Sequence, residues 1–456
     1  MIKNKKTVYY LALIPLAIIL VLFAWFFTII FEGEKPLLTV EPLPEFLSKK
    51  QAFTIKAGDM KRGLKALKVS YSPGGKEETV LDLKFPFEGI LNGKGTHNYE
   101  DQFVIDPQTL HLTQGTMDIK VQAWDYSRKN GGDGNTTVIL HSLIIDTMPP
   151  TIRPLSQMHN VNQGGTGLVV YQASSDTLES GVYVNDLFFK GYPASKDPKN
   201  ENYVAYFAIP YDIKTNPTIS LWAKDKAENT VTTAFTCLVK RIQFRSDDMN
   251  LSDSFLKKVL PYFSNEIDPN ATDIDNYLKI NRELRKTDNA IFYDLMKDVS
   301  PDKLWEGSWL RLKNSAPMAK YADHRKYYYN SKLVDEQDHL GLDLASLANS
   351  PVDAENSGKI IFAERNGIYG NAVVIDHGQG IASLYGHLSD IIVTKGQDVK
   401  KGDIIGHTGQ TGLAGGDHLH VSMLVHGVFV NPIEWWDDHW IQDNITSKLN
   451  LLKSQQ

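Results

Sequence analysis

Of the chain's 13 histidines, eight fall between His339 and His439. The ones placed to do chemistry lie in three short segments: His339-Leu-Gly-Leu-Asp343, Tyr385-Gly-His387-Leu-Ser389 and Asp417-His418-Leu-His420. In an extended strand, residues two apart project from one face, so His418 and His420 point the same way. One can hold a metal while the other handles protons beside it. His339 and Asp343 add an imidazole and a carboxylate, both suited to Zn²⁺, and Gly341 between them lets a non-helical chain bend so that both reach one ion. His339, Asp343 and one member of the His418/His420 pair make three protein ligands. The fourth tetrahedral position is then left for water, as in a catalytic zinc site. Zinc lowers the pKa of such a water to about 7, and the remaining histidine of the pair is placed to take its proton. Ile381, Ser383, Tyr385 and His387 alternate onto one strand face, which predicts His387 in the same cleft as a second proton-handling group or an oxyanion donor. The set suits amide hydrolysis. His377, His407, His426 and His439 read as structural, and the helical His-Glu-x-x-His zinc motif is absent. Cys237 is the only cysteine, which excludes a cysteine-built zinc site and any intramolecular disulfide.

These residues need turns to bring them together. Glycines recur every few residues from Gly341 to Gly416, a spacing that suits tight antiparallel connections and predicts a compact all-β domain over residues 331–442, with a polar tail at 443–456. Upstream, residues 37–148 and 149–243 read as short strands between Gly, Pro, Asn and Asp clusters. A weak repeat sets Ala123-Trp-Asp125 against Ala223-Lys-Asp225, and Asp146-Thr-Met-Pro-Pro-Thr151 makes the junction. Two immunoglobulin-like β-sandwiches, acting mainly as spacers and offering a surface to a cell-envelope partner, are the expectation. Residues 246–330 turn helical, with Ser252 and Thr272 as N-caps, and then become aromatic and basic through Trp305, Trp309, Arg325 and Tyr327 to Tyr329. Packing against the next domain is the expected role of that aromatic stretch, in preference to a substrate-facing wall.

The whole chain is therefore predicted to be mainly β, behind one N-terminal helix. Val8 to Ile30 contains no charged residue, a length that crosses a hydrocarbon core of about 30 Å. Lys3, Lys5 and Lys6 precede it and Glu32 and Glu34 follow, which places residues 1–6 in the cytoplasm and everything after a single-pass anchor at 7–31 outside it. No small-x-small site follows the apolar run, so a retained anchor in the inner membrane is favoured over a cleaved signal, with the bulk of the chain periplasmic. The net charge of −6 is scattered, and nucleic acid is excluded as a partner.

From about Asp338 to Trp436 the chain resembles the lysostaphin-like, LytM-type zinc metallopeptidases of peptidoglycan. The matching text is His339-Leu-Gly-Leu-Asp343, Val374-Ile-Asp-His377-Gly378, Tyr385-Gly-His387-Leu-Ser389, Thr408-Gly-Gln-Thr-Gly412 and His418-Leu-His420. The resemblance implies that His339, Asp343 and His420 bind one zinc ion and that His418 and His387 assist catalysis, which assigns the pair that spacing left open. It also implies a gapped antiparallel β-sandwich or barrel, and a metalloendopeptidase acting on peptidoglycan peptide stems. Some relatives have lost ligands and regulate other wall hydrolases. The alternative expectation is thus a latent wall-binding scaffold or hydrolase activator.

Overall fold

The computed structural model describes residues 5–197 and 201–453; Lys3, part of the expected cytoplasmic tail, lies outside the described residues. The chain is mainly β, and it divides into two compact units, residues 1–149 with 226–229 and residues 150–225 with 230–456.

The first unit opens with the helix Lys5–Ile30, whose residues 13–30 are long and apolar enough to cross a membrane. Two sheets follow. One holds Leu37–Glu41, Gln51–Gly58 and Asn98–Ile105, and the other pairs Phe46–Leu47, Thr136–Ile145, Gly115–Asp125, Leu64–Pro73 and Glu78–Lys84 in that order. Alternation explains their contact: Phe53 and Ile55 from one sheet and Leu67, Val69 and Val121 from the other share one core, while intervening residues face out.

The second unit begins with another two-sheet module. Its sheets run Tyr192–Pro193, Asn202–Ala208, Thr166–Ala173, Ile152–Pro154 and Leu187–Lys190, Thr177–Val184, Ile219–Asp225, Thr230–Ala234. Gly115–Asp125 and Ile219–Asp225 both end at the aspartate of the weak sequence repeat. Helices follow at Asp253–Val259, Asp273–Lys279 and Arg285–Leu295. The first two are capped as their sequences predict, Phe255 N–H donating to Ser252 Oγ (3.2 Å) and Asp275 N–H to Thr272 Oγ1 (3.3 Å). The stretch before them departs from expectation: Ser246–Leu251 is a strand, parallel to His324–Tyr329.

The glycine-punctuated region is an eight-stranded antiparallel sheet. Its order is Ala316–Ala319, Leu342–Ala345, Leu419–Val425, Ile381–Leu388, Gly370–Gly378, Gly358–Asn366 and Asp398–Val399, with Val428–Val430 added to Leu419–Val425. The two central strands are buried at every position because both faces are covered. Ile381, Met423 and Val425 join the core that contains Phe207 and the tryptophans Trp305, Trp309 and Trp435. Ala382, Leu384 and Leu424 join the core that contains Leu256, Phe263 and Phe292 of the helical segment. The aromatic stretch thus packs as expected at Trp305 and Trp309. The expected polar tail does not: helical residues Gln442–Thr446 and Ser447–Lys453 bury Ile445, because apolar positions recur on one face.

Candidate metal centre

Strand register places the chemistry. Leu342–Ala345 pairs with Leu419–Val425 so that Asp343 lies opposite His420, and Ile381–Leu388 flanks the other edge with Gly386 opposite His420. His339 arrives from the turn before Leu342. His339 Nε2 is 3.0 Å from Asp343 Oδ1 and 3.1 Å from His420 Nδ1, and the last two atoms are 3.0 Å apart. This triangle of donor atoms could hold a metal ion.

The other polar atoms of the three side chains are engaged, and this fixes which atom each presents. His339 Nδ1 lies 2.9 Å from the Lys320 carbonyl, which can only accept, so the proton sits on Nδ1 and Nε2 keeps its lone pair. Ser422 Oγ donates to the Leu340 carbonyl (2.8 Å) and therefore accepts from His420 Nε2 (2.9 Å), leaving Nδ1 of His420 unprotonated. Arg325 Nη2 donates to Asp343 Oδ2 (3.1 Å), leaving Oδ1 to face the two imidazoles. Outer partners of this kind orient metal ligands and set their tautomers. The donor set, one carboxylate and two imidazoles, fits zinc. Burial pushes Asp343 up, but the His339, His418 and His420 imidazoles overcome this and hold its carboxyl well below the usual range. Burial lowers His420 to about 4, so it stays neutral.

His418 and His387 face the same cavity, a space of about 390 Å³ that also contacts the three residues above. His418 Nδ1 donates to the Gly416 carbonyl (2.8 Å) and His387 Nδ1 to the Thr411 carbonyl (2.8 Å), so both turn Nε2 toward the space. Their ring centroids are 4.8 Å apart. Burial, and then repulsion from His418 and His420, drives His387 well below the normal histidine range. Burial also lowers His418, but the Asp343 carboxylate, 3.6 Å from its Nε2, outweighs this and leaves it raised.

His387 reaches the cavity by a route that alternation does not describe. Its φ of 62° and a register shift between Gly370–Gly378 and Ile381–Leu388 swing it out of line. Ser383 Oγ bonds instead to Tyr385 Oη and to His377 Nε2, and neither Ser383 nor Tyr385 lines the cavity. His377, His407 and His426 lie outside the lining as well. Arg325 and Tyr327, expected to pack against the next domain as part of the aromatic and basic stretch, instead line the cavity. Arg325 stands between His324 and Lys326, and nothing in that basic run marks it as the one that reaches Asp343.

Comparison with known proteins gives the same region. Residues 337–432 match the family model "Peptidase family M23". The DD-carboxypeptidase/endopeptidase Mpg of Neisseria meningitidis serogroup B is 43% identical over 95 residues, 21% of this chain and 22% of that protein. The peptidoglycan DD-endopeptidase ShyA of Vibrio cholerae is 40% identical over 96 residues, covering 21% and 22%. Among solved structures, the catalytic domain of lysostaphin from Staphylococcus simulans is 28% identical, covering 29% of this chain and 98% of that one, at a TM-score of 0.24. The match therefore spans about a fifth of the curated relatives. Residues 337–432 of this chain are a peptidase family M23 domain.

Proposed function

We propose that the chain is a membrane-anchored zinc metalloendopeptidase that hydrolyses the peptide cross-links of bacterial peptidoglycan. The observation that carries this reading is the convergence of His339 Nε2, Asp343 Oδ1 and His420 Nδ1 within 3.1 Å, beside two further imidazoles that present Nε2 to the same cavity. Relatives that are peptidoglycan DD-endopeptidases support the substrate class. The apolar N-terminal helix supports an anchor, and the two-sheet modules between it and the M23 domain are read as immunoglobulin-like spacers.

His339, Asp343 and His420 would hold the zinc, steadied by Lys320, Arg325 and Ser422. A zinc ion held there would supply a Lewis acid able to polarise the scissile carbonyl and acidify water. His418 and His387 handle protons at Nε2. Each is anchored at Nδ1 to a carbonyl, so a proton leaving water arrives on a fixed nitrogen and can pass to the leaving amine. His387, which burial keeps neutral, accepts and orients; His418, beside Asp343, is the better proton carrier.

The test is digestion of purified murein by the full chain in detergent, with the fragments read by mass spectrometry and the metal content by elemental analysis. One zinc per chain and cleaved cross-links are expected. His418→Ala and His387→Ala should each keep the zinc and lower the rate by at least about 100-fold. A chain that binds no zinc, or variants that cut as fast as the parent, would sink the proposal.

A further inference from the structure

The metal cavity has a second wall, supplied by the helical segment, and that wall carries a guanidinium that closes no ion pair among the described residues. Arg285 lines the cavity together with Phe255, Tyr277 and Tyr369. It is held from behind: its Nε donates to the Asn281 carbonyl (3.1 Å) and its Nη2 to Asn281 Oδ1 (2.7 Å). Asn281 is fully buried and is itself fixed by donation from Nδ2 to Asp335 Oδ2 (2.8 Å). A one-turn π-helical widening at Ile280–Leu284 puts Asn281 and Arg285 in this relation, and such widenings are common at functional sites.

The remaining donors of the guanidinium meet no acceptor among the described residues. Other charges in the lining are answered: Arg325 by Asp343 (3.1 Å), Asp247 by Arg245 (2.9 Å), and Asp417 by the Thr408 hydroxyl (2.6 Å) and the Asn349 N–H (3.1 Å). Arg285 closes no such pair: the Asp288 carboxyl one turn on feels its charge but spends Oδ2 on the Ile368 N–H (2.7 Å). A rigid fork in an aromatic wall, open along the edge away from Asn281, matches a planar carboxylate that accepts two parallel N–H bonds. Tyr369 shares this lining with Arg285 and His420, its ring 5.3 Å from that of His420.

The geometry points to Arg285 as the residue that binds a carboxylate of the peptide substrate and so sets which stem peptide is accepted. This rests on the endopeptidase reading above, because a murein stem presents free carboxylates beside its amide bonds. Nothing about the metal ligands requires Arg285, which makes it a specificity determinant rather than a member of the hydrolytic set.

The test uses the zinc-loaded full chain in detergent and a cross-linked muropeptide dimer in two forms, with free carboxylates and with the carboxylates amidated. Affinities are measured by calorimetry in a His418→Ala background, and KM and kcat in the parent. The acid form should bind about 10- to 100-fold more tightly than the amide. Arg285→Gln should abolish that preference and raise KM for the acid form by a similar factor, with kcat and the amide KM little changed; Arg285→Lys should keep part of the preference. A preference that survives Arg285→Gln, or a parent chain with no preference, overturns the inference. If the parent shows the preference yet cleaves neither dimer, the endopeptidase reading falls while the carboxylate site stands.

Discussion

At the scale of single residues, the residues that meet in the candidate metal triangle, His339, Asp343 and His420, were legible because they come in short segments with strand spacing. Gly341 was legible only in part. Its role is close approach rather than bending: a Cβ there would stand 2.4 Å from His420 Nε2 and 2.6 Å from Ser422 Oγ. Gly341→Ala should therefore push the His420 ring off its serine and weaken zinc binding by about 10- to 100-fold, the usual cost of disturbing an outer partner. Gly416→Ala, where a Cβ meets nothing within 4 Å, should leave zinc affinity unchanged in the same competition titration against a chelator. No spacing rule announces Glu355, a buried carboxyl that burial pushes up to about 8, with Trp436 Nε1 on Oε2 (2.8 Å) and no partner for Oε1. A raised folded pKa means that the folded chain binds the extra proton. The stabilisation is complete below the ordinary carboxyl value of 4.5 and is lost as pH rises through about 8. Glu355→Gln does not titrate. The melting temperature of the parent minus that of Glu355→Gln should therefore fall by several degrees between pH 5 and pH 9. Parallel curves would show that Glu355 is already ionised at low pH.

Elements were readable where a local rule decides them and obscure where a partner does. Ser252 and Thr272 cap helices because their hydroxyls answer N–H groups three residues on, which is a property of the segment alone. Ser246–Leu251 is a strand because it pairs with Tyr327 and its neighbours, far along the chain. Its own sequence, Ser-Asp-Asp-Met-Asn-Leu, has no strand alternation to find. The swing of His387 is of the same kind, since it depends on the register shift against Gly370–Gly378. The helix Arg285–Leu295 matters to the site through Phe292, which is 1% exposed and whose ring centroid lies 5.1 Å from that of Tyr369, next to His420. Phe292→Ala should cost about 3–5 kcal/mol by urea titration, from lost burial plus the cavity left behind. Because Tyr369 loses its support, zinc affinity should fall too; a variant destabilised as stated but with full zinc affinity would separate the helix from the metal centre.

On the scale of the whole molecule, the junction after Asp146-Thr-Met-Pro-Pro was visible from prolines and a repeat, and the division falls after Pro149. What composition could not reveal is that the second two-sheet module and the M23 domain belong to one compact unit. Phe207 and Tyr206 of the module lie in one core with Trp305, Met423, Val425 and Trp435. Glu434 accepts from Asn162 Nδ2 (2.8 Å) and from the Thr166 N–H (3.0 Å), and Lys448 Nζ donates to the Leu168 carbonyl (3.1 Å). Strand alternation describes each module separately, and these contacts join positions more than 250 residues apart. A fragment of residues 246–456 would expose a large apolar surface around Trp305 and Trp435 and leave the Glu434 and Lys448 side chains without their partners. It should aggregate or melt without cooperativity. Residues 150–456, which keep that core whole, should stay monomeric in gel filtration and give one calorimetric transition that zinc moves upward. Bound ligand stabilises only the folded state, by about 2.7 kcal/mol at a hundredfold excess over the dissociation constant. Two separate transitions in the longer fragment, or a stable cooperative shorter one, would instead make the module a tether with no part in holding the peptidase together.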